Sequence, residues 1–325
     1  MSAEADGMGM QGRPRSKWRR RMMDRLFLVG CVCAAVGSIA ILVTLLASIA
    51  RTGMTHLDLE FLRRGPSRKP ENAGIYPAMI GSIMICAVCA VTAIPIGVAT
   101  AIFLEEFKPR HRLLRRIHGF IQLNITNLAG VPSVVYGILA MTAFVQAFGV
   151  FGSLNEPAWS FGTADAWYYV RLPFGRGVIS GGLALMLVVL PIIIISAQES
   201  LRAVPDSLRQ GAAALGATPW QTVRRMTLPR AVPGIMTGTI LAMSRAIGEA
   251  APILIIAGIV FIRYTPAHLM DDFTAMPLQI FNWAGRPNEQ FHRVAAAGII
   301  VLLVILLAFN AVAVFIRHKF GKPHS

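Results

Sequence analysis

Arg245 and Glu249 stand four positions apart inside Ile235–Phe261, a run that holds no other charged residue. On a helix a four-residue step returns to the same face, so the two side chains can meet. Charge within an apolar run is costly in hydrocarbon and faces a bundle interior or a watery path. At 1.5 Å per residue, Arg245 falls about 15 Å into a hydrocarbon core about 30 Å thick, near the midplane. Broken-helix carriers hold their substrates at that depth. A guanidinium there offers a fixed positive charge and a planar donor fork that matches oxyanions. Glu249 neutralises it when the site is empty, or donates to the anion when protonated. Gly248, lying between them, admits close approach of a backbone or a ligand. Pro252 removes a helical hydrogen bond and predicts a kink just beyond. Two readings stand: an anion path, or an ion pair that only fixes helix packing.

The rest of the chain offers no competing chemistry. No H-E-x-x-H occurs, and the seven histidines fall in loops or near the ends of apolar runs, so a hydrolase site is not indicated. No G-x-x-x-x-G-K-[ST] occurs either, so the chain is not itself an ATP-hydrolysing subunit and no catalytic residue or cofactor of its own is expected. Cys86 and Cys89 lie one turn apart without clustered histidines, and read as small apolar residues rather than a metal pair. The net charge of +15 and the basic arm Arg13, Arg15, Lys17, Arg19, Arg20, Arg21 raise nucleic acid as a partner. These residues flank apolar runs, where they set orientation instead, and no aromatic platform accompanies them.

The elements that must position the pair are membrane helices. The chain of 325 residues is 55% hydrophobic and 14% charged. Six runs reach the about 20 residues needed to cross a bilayer: 26–50, 78–104, 125–151, 178–197, 235–261 and 294–316. The fold class expected is an all-α polytopic membrane protein. Residues 1–25 read as a basic cytoplasmic tail, 26–50 as a retained first span, 75–316 as a five-helix core and 317–325 as a cytoplasmic tail. Lys and Arg outside the runs number 20 on the side of both termini and 10 on the other, which predicts both termini in the cytoplasm. Arg63, Arg64, Arg68 and Lys69, in the first outer loop, are a local exception.

The loop 198–234 then lies on the cytoplasmic side. Ser207 with Gln210 has capping-box spacing, and Gly216 can end that helix in a left-handed cap. Thr218, Pro219 and Gln221 start a second short helix, bearing Trp220, Val223 and Met226 and stopping by Leu228-Pro229. Two short helices with a sharp bend make a knob that suits a partner's groove. The loop resembles that of binding-protein-dependent ABC importer permeases, whose pattern is Glu-Ala-Ala, three residues, Gly, nine residues, Ile, one residue, Leu-Pro. Here Gln210-Gly211-Ala212, Gly216, Met226 and Leu228-Pro229 keep the spacing, with Gln for Glu, Gly for the first Ala and Met for Ile. The resemblance implies that Gln210, Gly211, Ala212, Gly216, Leu228 and Pro229 belong to a coupling element seated on an ATPase subunit.

Two further strings narrow the resemblance. Ala242-Met243-Ser244-Arg245-Ala246-Ile247-Gly248-Glu249-Ala250-Ala251-Pro252 is similar to the Arg-Ala-x-Gly-Glu-x-x-Pro signature of phosphate permeases of the PstA type. Leu128-Ala129-Gly130-Val131-Pro132-Ser133-Val134-Val135-Tyr136-Gly137 is similar to a second string of theirs. The likeness implies a type I ABC importer permease core in a bacterial plasma (inner) membrane. It implies a paralogous permease subunit (PstC type), an ATPase dimer (PstB type) that uses the ATP, and an extracytoplasmic phosphate-binding protein (PstS type). Arg245, Glu249 and Gly248 would then border the substrate path, with Ser133, Tyr136 and Asn127 as further lining candidates, although such groups often only bond neighbouring helices. A permease for sulfate, molybdate or phosphonate is the nearest alternative. A gradient-driven carrier is the next, and it would need no coupling loop.

Overall fold

The structure is a computed structural model that describes residues 17–109, 111–150, 159–163, 169–258 and 262–320. Arg13 and Arg15 of the basic arm lie outside the described residues. The chain divides into two compact units, Met1–Arg51 and Thr52–Ser325. The described residues of the first belong to one helix, α1 (Lys17–Gly53), of which Arg21–Gly53 is long and apolar enough to cross a membrane.

The second unit carries α2 (Leu59–Arg63), α3 (Tyr76–Glu106), α4 (Arg112–Leu128) and α5 (Ser133–Ala140). After a two-stranded antiparallel ribbon, β1 (Trp159–Phe161) with β2 (Val170–Leu172), come α6 (Val178–Arg202), α7 (Asp206–Ala214), α8 (Pro219–Thr222) and α9 (Leu228–Gly248). The chain then forms α10 (Ala251–Ala257), α11 (Met276–Ala284) and α12 (Glu289–Phe320). Among the described residues four helices are long and apolar enough to cross a membrane, and six spans result if each of two bent pairs counts as one.

Those bent pairs correct the third and fifth predicted runs. The single helix expected over 125–151 is instead α4 and α5, separated by four residues and turned 112° from one another. Pro132 accounts for the break: at φ −57 and ψ 136 it is outside the helix, and it disfavours helical geometry at Val131. The run expected over 235–261 begins earlier, at α9, and breaks at Glu249–Ala250, where α10 departs at 50°. Residues 259–261 of that run lie outside the described residues. The other spans stand near their predicted places with longer ends.

α6 is the hub. It packs along α3 and α9 and touches α4, α5 and α10. The shared core holds Ile85, Cys89, Leu185, Val189, Ile193, Met243, Ile253 and Phe273. Alanines at 93, 184 and 242 are fully buried, so backbones approach closely, as helices without a hydrophobic drive between them require. Polar clasps add specificity. Gln122 and Gln198 exchange amide hydrogen bonds of 3.0 and 2.8 Å between α4 and α6. Ser244 donates to Asn310, and Arg317 to Thr237 at 3.1 Å, so α9 is pinned twice to α12. The first amides of α6, which have no intrahelical acceptor, are met by the Asp271 and Leu269 carbonyls at 3.0 and 2.9 Å.

The same 268–276 segment locks onto α3. Ser82 Oγ accepts from the Met276 amide at 2.8 Å, and a Cβ at Gly81 would lie 2.1 Å from the Thr274 carbonyl oxygen. Gly81→Ala should therefore lose about 1–3 kcal/mol through forced separation of the two segments. Gly119→Ala, on a helix where no atom lies within 4 Å of the new methyl, should be neutral or gain up to about 1 kcal/mol from helix propensity. Thermal unfolding of the two variants in detergent checks this; equal melting temperatures would show that α3 is not locked at Gly81.

Candidate functional site

The charge pair owes its setting to Pro252. A proline ring clashes with the carbonyl four residues earlier and supplies no amide to it, so α9 ends at Gly248. Glu249 leaves the helix as its C-cap, at φ −75 and ψ 117. Pro252 then serves in the first turn of α10, where its missing amide costs nothing. The kink expected beyond the pair is thus a full break that begins at Glu249 itself. Arg245, in the last turn of α9, sits beside the negative end of the helix dipole.

Arg245 Nε donates to Glu249 Oε1 at 2.9 Å. The carboxylate is largely covered, with 15% of its side chain exposed, while 55% of the arginine side chain is exposed. One face of the guanidinium is anchored and the remainder is open. Beyond its own helix, no described segment comes within 4 Å of a Cβ built on Gly248, so no other backbone approaches closely there. The outer donors are left available without breaking the ion pair.

The α4–α5 break is tied to this one. A Cβ on Gly137 would lie 2.8 Å from Pro252 Cα, so α5 and α10 lie in direct backbone contact. Ser133 is the first residue of α5 and is half-buried. Tyr136 is only 5% exposed, and its hydroxyl donates to the Leu128 carbonyl at 2.7 Å. That carbonyl, in the last turn of α4, also accepts from the Val131 amide at 3.1 Å, so Tyr136 braces the bend rather than lining an open path. Asn127 is exposed on the last turn of α4. An apolar concavity of about 440 Å³ also opens between α3, α9 and α12, lined by Ile83, Cys86, Ala90, Met243 and Phe309. It presents no charge and does not suit an anion.

The 203–227 segment forms the expected bent pair of short helices, with two corrections. Ser207 is not a cap: α7 starts at Asp206 with Pro205 as N-cap, so the Ser207–Gln210 box is absent. The second helix does not stop at Leu228-Pro229. A π turn, Val223–Thr227, joins α8 to α9, and Pro229 sits in the first turn of α9, where proline is tolerated. The other signals are realised. Gly216 adopts φ +80, the Gly216 amide reaches the Ala213 carbonyl and the Ala217 amide the Ala212 carbonyl, both at 3.0 Å. That pair of bonds is a Schellman cap. Thr218 and Gln221 form a complete capping box.

Gln210, Gly211 and Gly216 are exposed and Ala212 is buried, while Leu228 is half-buried and Pro229 exposed at the start of α9. Between α7 and α8 lies a concavity of about 550 Å³ bordered by Leu208, Gly211, Leu215, Gln221, Arg225 and Met226. Leu215, at the tip, is 91% exposed, and Trp220 on α8 is 55% exposed. Sequence reasoning missed Leu215. A leucine just before a capping glycine reads as packing residue, and only the fold shows it projecting free.

A family model described as binding-protein-dependent transport system inner membrane component matches residues 93–321. The chain is 30% identical to phosphate transport system permease protein PstA 1 of Mycobacterium tuberculosis (strain CDC 1551 / Oshkosh), over 75% of this chain and 70% of that relative. It is 27% identical to phosphate transport system permease protein PstA of Yersinia pestis, over 97% of both chains. Among solved structures, a chain of a bacterial alginate ABC transporter in complex with its pentasaccharide-bound periplasmic protein superposes with TM-score 0.64 at 13% identity, over 94% of this chain and 98% of that one. A chain of the inward-facing MetNI methionine ABC transporter gives 0.53 at 15% identity, over 76% and 98%. The bent pairs, the exposed knob between α6 and α9 and these likenesses agree: the chain belongs to the inner-membrane components of binding-protein-dependent transport systems, and is an ABC importer permease with the type I fold.

Proposed function

We propose that this permease forms half of the translocation path of an ATP-driven phosphate importer. The observation that carries the reading is Arg245: a guanidinium held by Glu249 on one side and free on the other, at a helix break inside the fifth span. Relatives named as phosphate transport permeases support phosphate as the anion. Arg245, Glu249, Gly248 and Ser133 border the path, and Tyr136 holds the adjoining bend. A second, paralogous permease of the PstC type completes the enclosure, and a PstS-type extracytoplasmic protein delivers the anion. The excess of Lys and Arg on alternate loops supports cytoplasmic termini in the bacterial inner membrane.

ATP is hydrolysed by a PstB-type dimer, since this chain has no phosphate-binding loop of its own. Gln210, Gly211, Ala212 and Gly216 form the docking knob, with Leu215 as its apolar tip, and Leu228-Pro229 lead from it into the fifth span. Gln210 carries no charge, so apolar contact takes the place of a glutamate salt bridge. Nucleotide-driven closure of the ATPases moves this knob, and the permease pair passes from inward-facing to outward-facing. The binding protein then releases its anion beside Arg245.

The direct test is uptake of radiolabelled phosphate into vesicles holding both permeases, the ATPase and the binding protein. Arg245→Gln should lower uptake roughly tenfold or more, the scale of a lost charge-assisted hydrogen bond. Sulfate and molybdate should not compete. Normal transport by Arg245→Gln would make the pair purely structural, and competition by sulfate or molybdate would reassign the substrate. A second variant addresses the knob. Gly216 has φ +80 and no neighbour to clash with, so Gly216→Val suffers backbone strain alone, about 1–2 kcal/mol. It should insert normally yet lose ATP-driven uptake, whereas Gly216→Asn, which tolerates that conformation, should keep most of it. Equal uptake by the two would remove the cap from the coupling mechanism.

A further inference from the structure

Arg209 lies on α7, one residue before the exposed Gln210, and its side chain turns inward. Nε and Nη2 donate to the Glu106 carboxylate, the shorter contact being 2.8 Å. Nη1 donates to the Val204 carbonyl at 2.7 Å and to Asp206 Oδ1 at 2.9 Å, and Nη2 also donates to the Leu201 carbonyl at 2.7 Å. The guanidinium has five N–H groups, and this arrangement supplies an acceptor for each. Glu106 is the last residue of α3, with 8% of its side chain exposed against 22% for Arg209. Leu201 belongs to the last turn of α6 and Val204 to the short connection into α7. One side chain therefore ties α7 to the ends of α3 and α6 at once, 103 residues apart in sequence for Glu106. The hydrogen bond to Glu106 pushes the Arg209 pKa further above its usual value, with the charges of Glu106 and Asp206 adding to it against desolvation.

Apolar packing adds to this tie: Leu208 of α7 is half-buried against the core that holds Leu104 of α3, Leu201 of α6 and Ile235 of α9. Ala212 is the buried residue of α7, which also packs against α8 and the π turn. The neighbouring pair, Arg202 with Glu105 at 2.9 Å, binds α6 to α3 but does not include α7. A displacement of the knob thus reaches α6 and α9 along the backbone, through residues 203–205 and through α8, while Arg209 is its polar link to the end of α3. α3 and α6 are the most extensively packed pair in the molecule and adjoin α9, so motion entering by these links together moves the span that carries Arg245 together with its supports.

We propose that Arg209 is a positioning residue for transport, a strut that transmits movement of the docking knob to α3 and α6 through Glu106. The proposal rests on the reading of this chain as an ATP-driven permease. A lysine cannot replace the strut, because an ammonium lacks the planar fork that reaches a carboxylate and two carbonyls together.

The test uses the complete transporter in vesicles and reads two quantities: anion uptake and binding-protein-stimulated ATP hydrolysis. Their ratio reports coupling, which a role in folding or assembly alone would leave unchanged. Arg209→Met and Glu106→Gln should each lower uptake per ATP roughly tenfold, within the range of a single coupling interaction. Arg209→Lys should recover only a small part, and the double variant should be no worse than either single one, since both act through one contact. A native ratio in Glu106→Gln, which leaves every residue of α7 intact, overturns the strut even if Arg209→Met fails to assemble. Additive losses in the double variant overturn it as well. Native complex that shows no ATP-driven uptake of phosphate would instead sink the functional reading, a result separable from the variants' behaviour.

Discussion

Hydrocarbon gives a peptide group no hydrogen-bond partner, so every backbone amide and carbonyl at membrane depth must be satisfied within the protein. The permease breaks two of its spans under that constraint, at residues 129–132 and 249–250. Both breaks are made by proline and both are repaired locally. Tyr136 covers the Leu128 carbonyl at the first, and at the second Glu249 closes α9 through its own amide to Ala246. Contact between Gly137 and Pro252 places the two outer half-helices side by side. Irregular backbone is tolerated where it is buried in protein or lines a water-filled cavity, and the charged pair lies at the second break.

The electrostatics follow from the same break. An unpaired arginine at the centre of a membrane helix costs about 3 kcal/mol on insertion scales. Glu249 gives the Arg245 charge a partner, yet it engages only Nε, and the outer donors stay available. Had the helix run on through 249 and 250, the carboxylate would remain a helix-surface group one turn away. Leaving the helix as a C-cap, it instead becomes a largely covered group beneath the guanidinium. Anchorage and accessibility, which usually oppose one another, coexist because the two residues belong to different backbone geometries.

At the other end of the fifth span the design is mechanical. α8, the π turn and α9 form one continuous helical path from the knob to the charge pair, so no flexible linker intervenes. Gly216 turns α7 back sharply, and the Schellman cap and the Thr218–Gln221 box satisfy the backbone on both sides of the turn. The knob is therefore stiff in itself, and its attachments decide where its motion goes.

Sequence alone determined what depends on composition and on neighbours close along the chain. Six spans, the pairing of Arg245 with Glu249, the left-handed glycine at 216 and the second capping box were all legible, because hydropathy and local hydrogen bonds act over a few residues. The false Ser207 cap shows the limit of such spacing: Pro205 already holds the N-cap position two residues earlier. Only the tertiary structure decided how far the third span turns at Pro132, that Tyr136 is a brace, that Leu215 projects and that Arg209 finds Glu106. Each of these depends on which helix ends lie side by side, and that is settled by packing of α3, α5, α6, α9 and α10 rather than by any local preference.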